Sequence, residues 1–188
     1  MSVLDSLPCS ENQRNEMLKI AAPMVAAFLS NMDLTPHQRS VFDLMAEGLS
    51  LADILRISKE HRDALLQAGC RLLRAGELDS ARATLTILLQ LEPLDSRAIY
   101  ALAAVMQTQG DYGAAAKLYI SFLALDATNP EGYLRLGECL LANNEYGEAT
   151  ESFRIANRLC EGGHGSPACA EQARRMVSFL QERESVPH

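Results

Sequence analysis

Cys160, His164 and Cys169 fall within one stretch of ten residues and are the residues best spaced for chemistry. Thiolate sulfur and imidazole nitrogen are the usual ligands of a structural zinc ion. Such a site takes four ligands, and its cysteines usually pair at C-x2-4-C spacing. Here a fourth ligand is missing from the stretch and no CxxC occurs. The simpler expectation is structural: Cys160 ends one helix, Cys169 packs inside the next, and no metal is held. His37, His61 and His188 lack an obvious carboxylate or cysteine partner. No P-loop, GxGxxG, HExxH or GxSxG motif is present. Neither an enzyme nor a cofactor is expected, so the function to look for is binding.

The elements that present a binding surface follow from composition. The chain has 188 residues, of which 29 are Leu and 26 are Ala, with no Trp and 5% aromatics. Leu and Ala cost least in helices, whereas strands favour β-branched and aromatic residues. An all-α fold is expected. The net charge of −7 argues against nucleic acid and anionic membrane as partners. The longest apolar run, Ile20 to Leu29, is ten residues, contains Pro23 and is too short to span a bilayer. Residues 1–17 lack the cationic start of a secretory signal, and Asp5 interrupts them. The five cysteines (9, 70, 139, 160 and 169) are odd in number and scattered. Reduced thiols in a cytoplasm are the simplest expectation.

The chain repeats itself every 34 residues. Segments 62–95, 96–129 and 130–163 align without a gap. Small residues recur at Gly69, Ala103 and Gly137, and at Ala81, Ala115 and Ala149. Larger ones recur at Leu72, Met106 and Leu140, and at Leu85, Tyr119 and Phe153. Leu78, Tyr112 and Tyr146 keep the same register, as do Leu91, Leu125 and Leu159. Small residues suit places where two antiparallel helices approach closely, and large ones fill the space beside them. Gly76, Gly110 and Asn144 stand where each first helix must end in a left-handed conformation. This is the tetratricopeptide pattern. It predicts three helix-turn-helix repeats forming a short right-handed superhelix, with the first helix of each pair on the concave face.

Helical segments flank the repeats. Residues 1–33 form an N-terminal extension, with a broken helix expected from Ser10 to about Met32. Residues 34–61 form an N-terminal helical segment. There Thr35-Pro36-His37-Gln38 reads as a capping box with Pro at the first helical position. That helix should reach about Glu47 and stop at Gly48. A second should start at Ser50 and end near Ile57, with Ser58 capping the first repeat helix. Residues 164–188 should supply a capping helix from Pro167 to about Arg183, then a frayed tail. Its apolar side carries Ala170, Ala173, Met176, Val177 and Leu180.

Two surfaces compete for function. Residues 34–57 resemble the start of the helix-turn-helix of quorum-sensing-type response regulators, which would make the chain a DNA-binding regulator. That stretch is not basic: Arg39 and Arg56 face Asp43, Glu47 and Asp53. A capping helical hairpin explains it better. The other surface is the inward side of each first helix, at repeat positions 2, 5, 9 and 12. It comprises Asp63, Leu66, Cys70 and Leu73, then Arg97, Tyr100, Ala104 and Gln107, then Glu131, Leu134, Glu138 and Leu141. An apolar groove with a charged rim suits an extended peptide with spaced hydrophobic anchors.

Residues 48–160, about 60% of the chain, resemble the class II chaperones of type III secretion, which serve translocator proteins. The likeness rests on Gly48-Leu-Ser-Leu-Ala-Asp-Ile-Leu, on Leu72-Leu-Arg-Ala-Gly-Glu-Leu-Asp-Ser-Ala81, and on three repeats, including Gly137-Glu-Cys-Leu-Leu141, followed by one helix. The resemblance implies a bacterial cytoplasmic chaperone. Such a protein holds a membrane-active translocator in a secretion-competent state, with an extended client segment in the groove. It also implies a homodimer through the N-terminal helices, and some family members bind a transcription activator. The family usually places aromatics in the first repeat's groove, where this chain has Leu66, Cys70 and Leu73. Other tetratricopeptide roles open to the chain are a needle-subunit chaperone and a general scaffold.

Overall fold

The computed structural model describes residues 35–46 and 48–184, and all their regular structure is helical. The expectations for the extension 1–33, for Glu47 and for residues 185–188 lie outside the described residues. The chain divides into two compact units, one ending at Ala98 and the other starting at Ile99.

In the first unit, α1 spans Pro36–Ala46, and the amide of Arg39 donates to the Thr35 carbonyl at 3.0 Å. Gly48 turns the chain at φ 98°, a conformation that costs glycine little. Helix α2 is only Leu51–Ile54, started by a complete capping box between Ser50 and Asp53. It ends three residues before the expected Ile57. Arg56 enters the left-handed region at φ 54°, and the Ile57 amide closes back on the Ala52 carbonyl at 2.8 Å.

The first repeat follows as α3, Lys59–Ala75, and α4, Leu78–Leu91. Ser58 holds the N-cap position of α3, but its hydroxyl meets His61 Nδ1 at 2.9 Å instead of a backbone amide. Gly76 ends α3 at φ 79°. Helices α3 and α4 pack together, and α2 rests on α4. A polar cluster ties α2 to the far end of α4. The buried Glu92 carboxylate receives Arg62 and stands 3.0 Å from the Ser50 hydroxyl.

Helix α5, Ser96–Thr108, begins at the end of the first unit. Asp95 Oδ1 caps it by accepting from the amides of Arg97 and Ala98.

In the second unit, α6 spans Tyr112–Leu125, α7 spans Pro130–Ala142 and α8 spans Tyr146–Glu161. Asp111 caps α6, while Asn129 with Pro130 starts α7. Gly110 and Asn144 take the left-handed turns that the repeat demands, at φ 82° and φ 65°. Helix α9, Pro167–Glu184, is capped by Ser166 Oγ and packs on α8 and α7. It buries Cys169, Ala173 and Leu180, with Ala170, Met176 and Val177 half-buried.

The repeat columns are the core. Ala81, Ala115 and Ala149 are fully buried, and so are Leu85, Tyr119 and Phe153. The two glycines of the small column each sit under the large residue of their own repeat. A Cβ on Gly69 would stand 2.7 Å from the Leu85 side chain, and one on Gly137 would stand 2.7 Å from the Phe153 ring. Helix pairing at this distance is what excludes larger residues there.

Candidate functional site

In the first unit the stripe residues Asp63, Leu66, Cys70 and Leu73 lie along α3. Asp63 is not a free rim charge: Arg97 bridges it at 2.9 Å and also binds Asp95 at 3.0 Å. The Asp95 hydrogen bond, followed by the Asp63 contact, holds the Arg97 guanidinium above its usual range. Leu66, expected in the groove, is only 4% exposed and packs with the core. Cys70 and Leu73 remain half-buried and reachable. Burial raises the Cys70 thiol above its ordinary value, which keeps it a small apolar surface rather than a nucleophile.

In the second unit the stripe is Tyr100, Ala104 and Gln107 on α5, then Glu131, Leu134, Glu138 and Leu141 on α7. Leu134, also expected in the groove, is 1% exposed and packs with the core. Tyr100 stacks edge-on against Tyr119 and Phe122 of α6, at centroid distances of 5.4 and 5.1 Å. These contacts lock the ring, and its burial raises the phenol's pKa.

The rest of this stripe is polar and interconnected. The Tyr119 hydroxyl donates to Gln107 Oε1 at 2.8 Å, and Gln107 Nε2 donates to Glu138 Oε2 at 2.9 Å. Arg135 holds both Glu138 oxygens at 3.2 and 3.0 Å. Gln172 of α9 donates to Glu138 Oε1 at 2.8 Å. Burial would lower the Arg135 pKa, but Glu138 outweighs it and the guanidinium is raised. The unit therefore presents a hydrogen-bonded seam flanked by the half-buried Ala104 and Leu141, rather than a continuous apolar floor.

Residue patterning missed Arg135, Tyr119 and Gln172 as members of this face. Arg135 and Glu138 stand at i, i+3, a spacing that favours opposite charges on one helix face. Gln172 falls 34 residues after Glu138, so extending the repeat by one step reaches it.

Cys160 does end α8, and Cys169 is buried inside α9. Among the described residues, no group of three His, Cys, Asp or Glu side chains is placed to hold a metal ion. No helix among them is long and apolar enough to cross a membrane. At the helix-turn-helix candidate, α2 has four residues, and α3, in the reading-helix position, packs on α4 through Gly69.

Models of the tetratricopeptide repeat match residues 66–106 and 107–154. Among solved structures, a type III secretion complex from Aeromonas hydrophila superposes with a TM-score of 0.70. It is 23% identical, and the match covers 79% of this chain and 99% of that one. The type III secretion translocator chaperone SycD of Yersinia enterocolitica superposes at 0.66, with 22% identity over 69% of this chain and 90% of SycD. Residues 66–154 carry tetratricopeptide repeats, and the chain has the fold of the type III secretion translocator chaperones. PcrH of Pseudomonas aeruginosa, in complex with the chaperone-binding region of PopD, matches this repeat fold at 0.64 and 25% identity. That match covers 69% of this chain and 97% of PcrH. Comparison with curated proteins by sequence finds no match.

Proposed function

We propose that this tetratricopeptide protein is a bacterial cytoplasmic chaperone for a translocator of type III secretion. The observation that carries the reading is the 25% identity and shared fold with PcrH, which was crystallised with the chaperone-binding region of PopD. PcrH with a segment of PopB, and SycD with a peptide of YopD, support the same mode of action. The client segment lies extended along the first helices of the repeats, each unit contributing its own face. Client side chains contact Cys70 and Leu73 in the first unit, and Ala104 and Leu141 in the second. The seam of Gln107, Arg135 and Glu138 offers partners for polar or main-chain groups of the client. Glu131 adds a charge at the edge of the second unit's face, while Asp63 and Arg97 are paired with each other. No chemical step is needed: occupying these faces keeps an aggregation-prone segment out of water.

A homodimer forms part of the reading, since SycD has been crystallised as dimers. The test is co-expression and co-purification of the full chain with the proteins encoded beside its gene. A stable complex with a translocator is expected. Recovery of a needle subunit alone would mean a needle-subunit chaperone, and recovery of no secreted protein would mean a general scaffold.

A further inference from the structure

The hydrogen bonds on the second unit's face close its central carboxylate and leave its central cation open. Glu138 Oε1 accepts from Arg135 Nη1 at 3.2 Å and from Gln172 Nε2 at 2.8 Å. Its Oε2 accepts from Arg135 Nη1 at 3.0 Å and from Gln107 Nε2 at 2.9 Å. A carboxylate offers about four lone-pair sites, and these contacts occupy them. Gln107 Oε1 in turn accepts from the Tyr119 hydroxyl at 2.8 Å. Arg135 is in the opposite position. Nη1 alone bridges both Glu138 oxygens, whereas a fork pairing would commit two guanidinium nitrogens. The Tyr100 phenol also acts on the guanidinium, yet five N–H donors outnumber these two partners. The Arg135 side chain is 38% exposed against 19% for Glu138, so the cation and not the carboxylate is the group open to a ligand.

We propose that Arg135 is the residue of this face that grips the client, donating to an uncharged main-chain carbonyl of an extended segment rather than to a carboxylate. This rests on the chaperone reading and gives its site a chemical preference. Glu131 and Glu138 stand four residues before and three residues after Arg135 on α7, spacings that share one helix face. Two carboxylates therefore flank one guanidinium. A client Asp or Glu would bring a third negative charge to the spot. A main-chain carbonyl brings none and is still a strong acceptor. Half-buried Ala104 and Leu141 flank the seam, so a segment seated on both crosses it with its backbone. The donor is also placed before a client arrives. Gln107 of α5 and Gln172 of α9 hold Glu138, and Glu138 holds Arg135. Binding then costs little further ordering of that long side chain.

Short synthetic peptides tiled across the proteins encoded beside the gene serve as probes of the full chain, with affinity read by fluorescence anisotropy. In the tightest-binding peptide each backbone amide is replaced in turn by an ester, whose carbonyl is the weaker acceptor. One ester should weaken binding to the wild-type chain several-fold. Arg135→Met should weaken the parent peptide by about tenfold or more and make that same ester nearly silent. Affinity for the wild-type chain should change little with salt, because the accepting group carries no charge. Unchanged affinity in Arg135→Met, or full ester sensitivity retained in it, would overturn the proposal. So would a requirement for a client Asp or Glu with affinity falling steeply as salt rises, which would make the site one for carboxylates. A wild-type chain that binds none of the peptides would instead fail the chaperone reading itself, and the proposal with it. Removing Arg135 alone strands Glu138, so Arg135→Met combined with Glu138→Gln repeats the measurement without a stranded charge. Circular dichroism of each variant separates loss of the grip from loss of fold.

Discussion

Glu138 and Gln172 are one repeat length apart in sequence, and their side chains meet at 2.8 Å. Asp63 and Arg97 are also 34 residues apart and meet at 2.9 Å. The same repeat position on successive first helices is therefore a point of side-chain contact, and α9 keeps that register although it lies beyond the third repeat. Gln172→Ala should leave a partly buried carboxylate oxygen short of a donor and cost about 0.5–1.5 kcal/mol. Urea unfolding measures the loss. Hydrogen exchange should place it in α9.

Gly137 and Gly69 should not tolerate a methyl group. Gly137→Ala drives a Cβ to 2.7 Å from the Phe153 ring, and Gly69→Ala does the same against Leu85. Each should cost roughly 1–3 kcal/mol by overpacking. Gly147, inside α8, has nothing within 4 Å of a Cβ. Gly147→Ala should therefore raise stability by up to about 1 kcal/mol. Thermal melts of the three variants should show opposite signs, and a common sign would refute the packing argument.

The Arg62–Glu92 pair holds the Ser50 turn to the first repeat. Both side chains are largely out of solvent, at 19% and 11% exposure, so breaking the pair leaves a poorly solvated charge. Arg62→Met should cost about 1–3 kcal/mol, less than a fully buried pair because some water reaches it and Ser50 still contacts Glu92. Protease nicking between α2 and α3 should accelerate before global unfolding does.

Cys139 gives a pH signature. Burial, followed by the Glu138 charge, pushes its thiol up to about 12 from an ordinary 9.0. The folded state thus holds its proton more tightly than the unfolded state. This contribution to stability is complete below pH 9 and is lost as pH rises from about 9 to 12. Cys139→Ala should flatten the alkaline fall in urea midpoint by about one proton's worth of slope.

Leu141 tests the client face without breaking the core. It is half-buried, whereas Leu66 and Leu134 are buried. Leu141→Glu should reduce affinity for the co-purifying translocator at least tenfold while leaving helical circular dichroism intact. Leu73→Glu makes the same test in the first unit. Unchanged affinity in both would remove this face from the client site.

Local chemistry was legible in the sequence. The helical fold follows from Leu and Ala content, and the repeat register from small and large residues returning every 34 positions. The left-handed turns follow from Gly76, Gly110 and Asn144, and the cap of α2 from Ser50 and Asp53. Each of these depends on neighbours within a turn or two, or on a periodicity that survives in a string of letters.

The surface was decided by tertiary structure. Helical spacing puts Leu66, Leu134, Leu73 and Leu141 on equivalent stripes, yet two are core and two are reachable, because exposure depends on what else packs over a helix. Patterning likewise presented Asp63 and Arg97 as charges on the rim and Glu138 as a groove residue. In the fold they are spent on one another, on Asp95, or on Arg135, Gln107 and Gln172. Hydrogen bonds between distant residues form only when the backbone fixes both ends, so sequence proposed the candidates and packing chose among them.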